Sequence, residues 1–252
     1  MNRWFYTQLW RIAPPLIRHY LKKRAVKSPA YLYHWGERFG EPFDRPVQRP
    51  IWVHAVSVGE TRAAQPLVEA LRRHFPDAPL LMTQMTPTGR ATAKELFPDA
   101  QCRYLPYDKP EWVAQFLKEH RPLFGVLMET EIWPNLICLA ARAGVPVILT
   151  NARLSAKSLR GYYRFARRLL REPLAQLHVN AQTRNDARRF RKLGVPAANI
   201  AITPNLKYQT PAETPLPPDI AAARAPDTWI AASTHPGEDE IVLAAHRIVQ
   251  QT

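Results

Sequence analysis

Glu60 closes the run His54-Ala-Val-Ser57-Val-Gly59-Glu60. An apolar segment, Ile51-Trp-Val-His-Ala-Val, gives way there to small residues. A helical pattern follows, with Leu67, Val68 and Leu71 on one face. A carboxylate at such a strand-to-helix turn stands at the carboxyl edge of a sheet, where open α/β sheets bind their ligands. The neighbouring helix N-terminus favours its ionised form, and an ionised, positioned carboxylate takes a proton from a hydroxyl. General base is therefore one reading of Glu60. N-terminal cap of the helix is the other, and this stretch alone does not separate them.

Three more strand patterns end in chemistry-bearing residues. Leu123–Met128 runs into Glu129-Thr130-Glu131-Ile132-Trp133-Pro134-Asn135, two carboxylates and a Trp before a Pro that starts a helix. Val145–Thr150 ends in Asn151-Ala-Arg153-Leu-Ser155, and Leu80–Met85 in Thr86-Pro87-Thr88-Gly89-Arg90. Glu129 and Glu131 either orient a substrate, or an Arg such as Arg153, or cap the helix that follows. Thr86, Thr88 and Gly89 form a hydroxyl-rich turn whose N–H groups suit an anion, with Arg90 as a partner for phosphate or carboxylate. Asn151, Arg153 and Ser155 form a similar turn. Four polar strand ends from one parallel sheet make a cleft.

The elements that position these residues alternate strand and helix. Strands are expected near 51–56, 80–85, 102–107, 123–129, 146–151, 176–182 and 198–203. Helices are expected near 60–74, 88–96, 110–120, 134–143, 155–171 and 184–193. The alternation points to an α/β fold with a parallel sheet covered on both faces. Residues 28–50 read as a connector and 209–227, rich in Pro and Ala, as a linker. A new unit then opens with a strand at Trp229-Ile-Ala-Ala, a turn at Ser233–Gly237 and a helix from Glu238. One such unit cannot bury its own apolar face. It either packs on the first domain or belongs to a longer protein.

Composition narrows the partners. The 252 residues carry a net charge of +14, so an anionic partner is expected, yet no nucleic-acid module is recognisable. The two cysteines, Cys102 and Cys138, give neither a metal spacing nor a disulfide framework. No Asp-x-Asp cluster calls for a divalent cation. Residues 1–27 hold seven Lys or Arg and no acid, interleaved with apolar residues from Trp4 to Leu21. That pattern suits an interfacial segment on an anionic bilayer, or else a helix docked on its own domain. It is too interrupted for a spanning helix or a signal peptide. The run Arg160, Arg164, Arg167, Arg168 and Arg171 is either a second lipid-facing surface or a solvated basic face.

The motifs S-V-G-E, M-T-P-T-G, Y-L-P-Y-D, M-E-T-E-x-W-P-N, N-A-R-L-S and S-T-H-x-G-E occur here in order. In order and spacing they resemble the 3-deoxy-D-manno-octulosonic acid (Kdo) transferases of lipopolysaccharide synthesis, from about Arg24 to the last residue. The resemblance implies a GT-B type fold. Residues 1–27 would be a membrane-associated segment, 28–208 an N-terminal Rossmann-like acceptor domain, 209–227 a linker and 228–252 the start of a second, donor-binding domain. It implies inverting transfer of Kdo from CMP-Kdo to a lipid A precursor (lipid IVA) with Glu60 as base. Acceptor contacts would come from Ser57, Gly59, Thr86, Thr88, Gly89, Arg90, Glu129, Glu131, Asn151 and Arg153. Donor contacts would come from Ser233, Thr234, His235 and Gly237, with no metal or cofactor, on the cytoplasmic face of the inner membrane. Two departures stand out. Pro236 lies inside the last motif, and Lys207 lacks the Gly before it and the Asp after it that the family more often shows. Two rival readings are a truncated, catalytically inactive domain that binds lipid or a partner, and a nucleotide-sugar enzyme like the epimerases of the same fold. The basic aromatic N-terminus counts against the epimerase reading.

Overall fold

Short apolar runs with helical segments between them produce seven parallel strands in the computed structural model, which describes residues 2–209, 229–231 and 233–250. The strands are β1 Ile51–His54, β2 Leu80–Gln84, β3 Gln101–Tyr104, β4 Phe124–Met128, β5 Val147–Ala152, β6 Leu177–Ala181 and β7 Ile200–Ile202. They lie in the order β3-β2-β1-β4-β5-β6-β7. Every residue of β1 and β2 is buried, as expected where helices cover both faces of a parallel sheet. This is the Rossmann-like α/β arrangement expected from the alternation.

The helices sort by face. Helix α3 (Val58–Ala63), α4 (Gln65–His74) and α5 (Pro87–Leu96) follow β1 and β2, and their apolar residues join Val53, Met82 and Val126. Helix α6 (Pro110–His120), α7 (Pro134–Arg142), α9 (Arg167–Gln176) and α10 (Arg184–Leu193) lie on the other face, around Trp52, Leu81, Leu127 and Leu149. The crossovers change face between β1 and β4, the point where the strand order reverses. Loops leaving those two strands diverge, and a crevice opens at their carboxyl ends.

Several boundaries differ from the sequence expectation. The segment expected over 60–74 is two helices, broken at Ala64 ahead of Pro66. The one expected over 155–171 is α8 (Ala156–Gly161), a π-helical turn (Tyr162–Ala166) and α9. Residues 28–50 are more than a connector. They contain α2 (Trp35–Arg38), whose Glu37 and Arg38 are buried in the domain. Cys102 and Cys138 lie in β3 and α7 as expected, buried and unpaired.

Residues Arg3–Ala25 form one long helix, α1. Pro14 and Pro15 lie inside it and withhold N–H donors from the carbonyls of Trp10 and Arg11. Its inner face docks: Leu21 and Ala25 pack with Tyr31 and Phe39, and Trp10 stacks on Tyr107. Its outer face presents Phe5, Leu9, Ile12, Leu16 and Tyr20 to solvent, each about half or more exposed, at helical spacing. Among the described residues no helix is long and apolar enough to cross a membrane.

By backbone contacts the chain divides into the units Met1–Thr210 and Pro211–Thr252. In the second, helix α11 (Glu238–Val249) starts after Gly237, whose φ is +92°. The strand expected at 229–232 does not form over residues 229–231, which are irregular; among the described residues a strand there has no neighbour to complete its hydrogen bonds. Trp229 instead donates its indole N–H to His246 of α11, at 3.0 Å. The linker expected over 209–227 lies outside the described residues beyond Gln209.

Gly125 of β4 shows how tightly the core closes. A Cβ there would stand 2.5 Å from the Trp52 indole. Gly125→Ala should therefore destabilise the domain by about 1–3 kcal/mol, read as a lower urea midpoint at an unchanged slope.

Candidate functional site

Ser57 ends the extended segment after β1, and α3 begins at Val58, so Glu60 falls in the first helical turn. Its carboxylate turns back toward the strand. Oε2 accepts the Val56 N–H at 2.6 Å, and Oε1 lies 3.4 Å from the Ser57 hydroxyl. Glu60 is thus a local cap in part. The helix terminus does not hold its pKa in the ordinary carboxylate range, because burial outweighs it. Burial pushes its pKa up to about 7, and the charges of Glu131 and Glu129 act in the same direction against the Val56 and Ser57 bonds. A six-residue helix end, half desolvated and facing two further carboxylates, cannot hold the group in the usual carboxylate range.

The turn after β2 interlocks with this one. Thr86 caps α5 by accepting the Gly89 N–H at 3.1 Å, and donates its own hydroxyl to the Val56 carbonyl at 3.2 Å. A Cβ on Gly89 would come within 3.2 Å of the Ser57 and Val56 backbone, so any other residue would push the two turns apart by a few tenths of an ångström. Thr88 is exposed. Gly59 is exposed too, and a Cβ there meets no atom within 4 Å among the described residues. Arg90 departs from its expected place. It points inward, where its Nη2 meets Glu37 Oε1 at 2.9 Å and the Cys102 carbonyl at 3.1 Å. The anionic partner it has in this structure is the protein's own Glu37.

The end of β4 supplies the second side of the crevice. Glu129, buried, has a φ of +59°, a left-handed conformation rare outside glycine and seen where a site constrains the chain. Its Oε2 pairs with Arg153 Nη2 at 2.9 Å. Glu131 Oε2 accepts the Trp133 indole N–H at 2.6 Å. Burial raises the Glu131 pKa, as does the Glu129 charge. At the end of β5, Asn151 also has a positive φ, +54°, where the register with β6 shifts. Its side-chain carbonyl accepts the Leu206 N–H at 3.3 Å and so holds the chain returning from β7.

The structure therefore gathers Ser57, Gly59, Glu60, Glu129, Glu131 and Arg153 at the strand-order reversal. It uses Thr86, Gly89 and Asn151 to hold the loops, and turns Arg90 away. Ser233, Thr234, His235 and Gly237 lie in the second unit; the His235 N–H is taken by Glu238 Oε2 at 2.8 Å, and Ser233 has a φ of +61°. Among the described residues no group of three His, Cys, Asp or Glu is placed to hold a metal.

Sequence reasoning missed three contributors. His54 is fully buried; its Nδ1 lies 2.9 Å from Thr83 Oγ1, its ring packs edge-on to Trp133, and burial lowers its pKa to about 3, so it is neutral. Tyr162, in the π-helical turn, is close enough to feel the Glu131 charge. Asp108 caps α7 from the loop after β3: its carboxylate accepts the N–H groups of Asn135 at 3.0 Å and Leu136 at 2.7 Å. Asp108 was visible inside Y-L-P-Y-D, but nothing in that motif shows which helix it caps.

Comparison with known proteins gives consistent matches. The family model described as 3-deoxy-D-manno-octulosonic-acid transferase (kdotransferase) matches residues 33–210. The 3-deoxy-D-manno-octulosonic acid transferase of Haemophilus influenzae is 38% identical over 98% of this chain and 60% of that protein. The Bordetella pertussis protein of the same name is 40% identical over 97% and 59%. The chain thus spans about three-fifths of the length of these relatives. Among solved structures, a putative UDP-N-acetylglucosamine 2-epimerase from Listeria monocytogenes superposes with a TM-score of 0.50 at 12% identity, over 70% of this chain and 51% of that one. That likeness is one of fold.

The three carboxylates make a direct prediction. Glu131→Gln removes one negative charge beside Glu60, so the Glu60 pKa should fall from about 7 toward the ordinary carboxylate range. Carboxyl-carbon NMR titration of the two proteins would read it. An unmoved titration would mean that the two groups do not sense each other.

Proposed function

The chain belongs to the 3-deoxy-D-manno-octulosonic-acid transferase family, and on that premise we propose that it is the acceptor-side half of an inverting glycosyltransferase. The donor is CMP-Kdo and the acceptor a lipid A precursor such as lipid IVA. Glu60 is the general base. The observation that carries this reading is the Glu60 carboxylate, held by the Val56 N–H at 2.6 Å and pushed up to about 7. A base is most effective when its pKa lies near the working pH.

In the step proposed, an acceptor sugar hydroxyl enters the crevice beside exposed Gly59. Glu60 takes the hydroxyl proton as the oxygen bonds to the anomeric carbon of Kdo from the face opposite CMP. The bond from that carbon to the CMP phosphate oxygen breaks, and CMP leaves with the electron pair. Configuration inverts because one displacement occurs. The Glu129–Arg153 pair and Glu131 line the acceptor side, and Arg153, whose side chain is 63% exposed, is free to reach an acceptor phosphate. Ser233, Thr234, His235 and Gly237 belong to the donor side. No metal or cofactor is required.

The outer face of α1 supports docking on an anionic bilayer, where a lipid acceptor resides. Its exposed apolar stripe is flanked by Arg11, Arg18, Lys22, Lys23 and Arg24, the pairing that binds interfaces. The π-helical turn adds exposed Tyr163 and Phe165 beside Arg164 and Arg167. The cytoplasmic face of the inner membrane is the location this implies for a CMP-sugar enzyme.

Transfer is measured with CMP-Kdo and tetraacyl lipid A precursor, using this chain extended by the rest of the donor domain. Glu60→Gln should lower kcat by about 100-fold or more, and retained activity would sink the base assignment. The base works only when deprotonated. kcat/KM of the unaltered enzyme should therefore rise about tenfold per pH unit below about 7 and level off above it. For the membrane face, the double change Ile12→Asp and Leu16→Asp should weaken binding to anionic vesicles in a flotation assay by about tenfold or more. Unchanged flotation would remove α1 from the membrane contact.

A further inference from the structure

The inner face of α1 is hydrogen-bonded to Asp108 and to Asn135 in the first turn of α7, the helix that follows the loop carrying two of the site carboxylates. Asp108, 2% exposed, sits between the two helices. Its Oδ2 accepts the Tyr6 hydroxyl at 2.9 Å and the Asn135 N–H at 3.0 Å; its Oδ1 accepts the Leu136 N–H at 2.7 Å. Its backbone carbonyl takes the Asn135 side-chain N–H at 2.8 Å, and Thr7 donates to Asn135 Oδ1 at 3.1 Å. The N-terminus of α7 needs such a partner, because its cap residue Trp133 makes no side-chain bond to it. Trp133 in turn holds Glu131 through its indole N–H. A continuous set of contacts therefore runs from Tyr6 through Asp108 and the first turn of α7 to Trp133 and Glu131.

We propose that Asp108, held by Tyr6, is a positioning residue for the carboxylate loop Glu129–Trp133, so that α1 is a working part of the site as well as its membrane face. The proposal rests on reading that crevice as the acceptor site. Five residues join β4 to α7, anchored at one end by the Glu129 N–H on the Thr150 carbonyl at 2.9 Å. Asp108 anchors the other end. Loosening it removes the cap that fixes the first turn of α7 and lets Glu131 and Trp133 shift relative to Glu60.

Hydrogen exchange on this chain and kinetics on the donor-domain-extended enzyme test it together. Tyr6→Phe removes one hydroxyl from a half-exposed helix and preserves the fold. It should speed exchange across residues 129–136 by about tenfold and lower kcat by a similar factor, with acceptor KM changed less than about twofold. Asp108→Asn, which keeps size and shape, should do both more strongly. His19→Ala, on the same helix but exposed and away from Asp108, should change neither. Unchanged exchange over 129–136 in both Tyr6→Phe and Asp108→Asn overturns the proposal. So does a lowered thermal midpoint with kcat per folded enzyme intact. If exchange responds but the unaltered enzyme transfers no Kdo, the positioning role stands and the assigned reaction falls.

Discussion

The reversal of strand order between β1 and β4 is the constraint on which the rest depends. A parallel sheet must send each crossover over one face or the other. Where consecutive crossovers change face, the two strand ends point their loops apart and leave a gap that the backbone cannot fill. In this chain the gap receives Glu60 from one loop and Glu129 and Glu131 from the other. Like charges gather there, with Arg153 paired to Glu129. The arrangement costs the fold stability and raises the proton affinity of these carboxylates, which is the property the proposed proton transfer would use.

The cap reading of Glu60 is met in the structure, and the proposed base role would use the same geometry. The Val56 N–H bond that makes the residue a local cap also fixes its carboxylate at the crevice wall, while burial raises its affinity for a proton. Elsewhere the molecule keeps its charges busy. Arg90 is answered by Glu37, which also accepts the Tyr104 N–H at 2.7 Å. Buried Arg38 lies 3.5 Å from the Tyr104 ring and donates to the Met85 carbonyl at 3.1 Å. These interior arginines hold α2 against the strand ends.

Much of this was legible in the residues. The seven strands follow from apolar runs of the right length. The polar strand ends follow from what interrupts those runs, because both signals are local. The failures lie where a distant partner decides. Arg90 sits in a turn that looks open until Glu37 arrives from 53 residues earlier in the chain. The helix-dipole argument for Glu60 considered one helix and missed two carboxylates brought in by β4. Residues 28–50 lack periodicity, so their buried contacts leave no pattern, and Trp229–Ala231 has strand composition without a neighbour to pair with among the described residues.

The π-helical turn at Tyr162–Ala166 has a consequence for how the molecule tolerates change. Such a turn takes up about one residue more than an α-turn, and each residue of helix represents about 100° of rotation. It works as a phase shifter between α8 and α9. At its start Tyr162 lies near enough to Glu131 to feel its charge; downstream Leu169, Leu170 and Leu174 join the core. A single-residue deletion there would leave both helices intact and set their two faces out of step. The length of this stretch is therefore fixed by the two faces it joins.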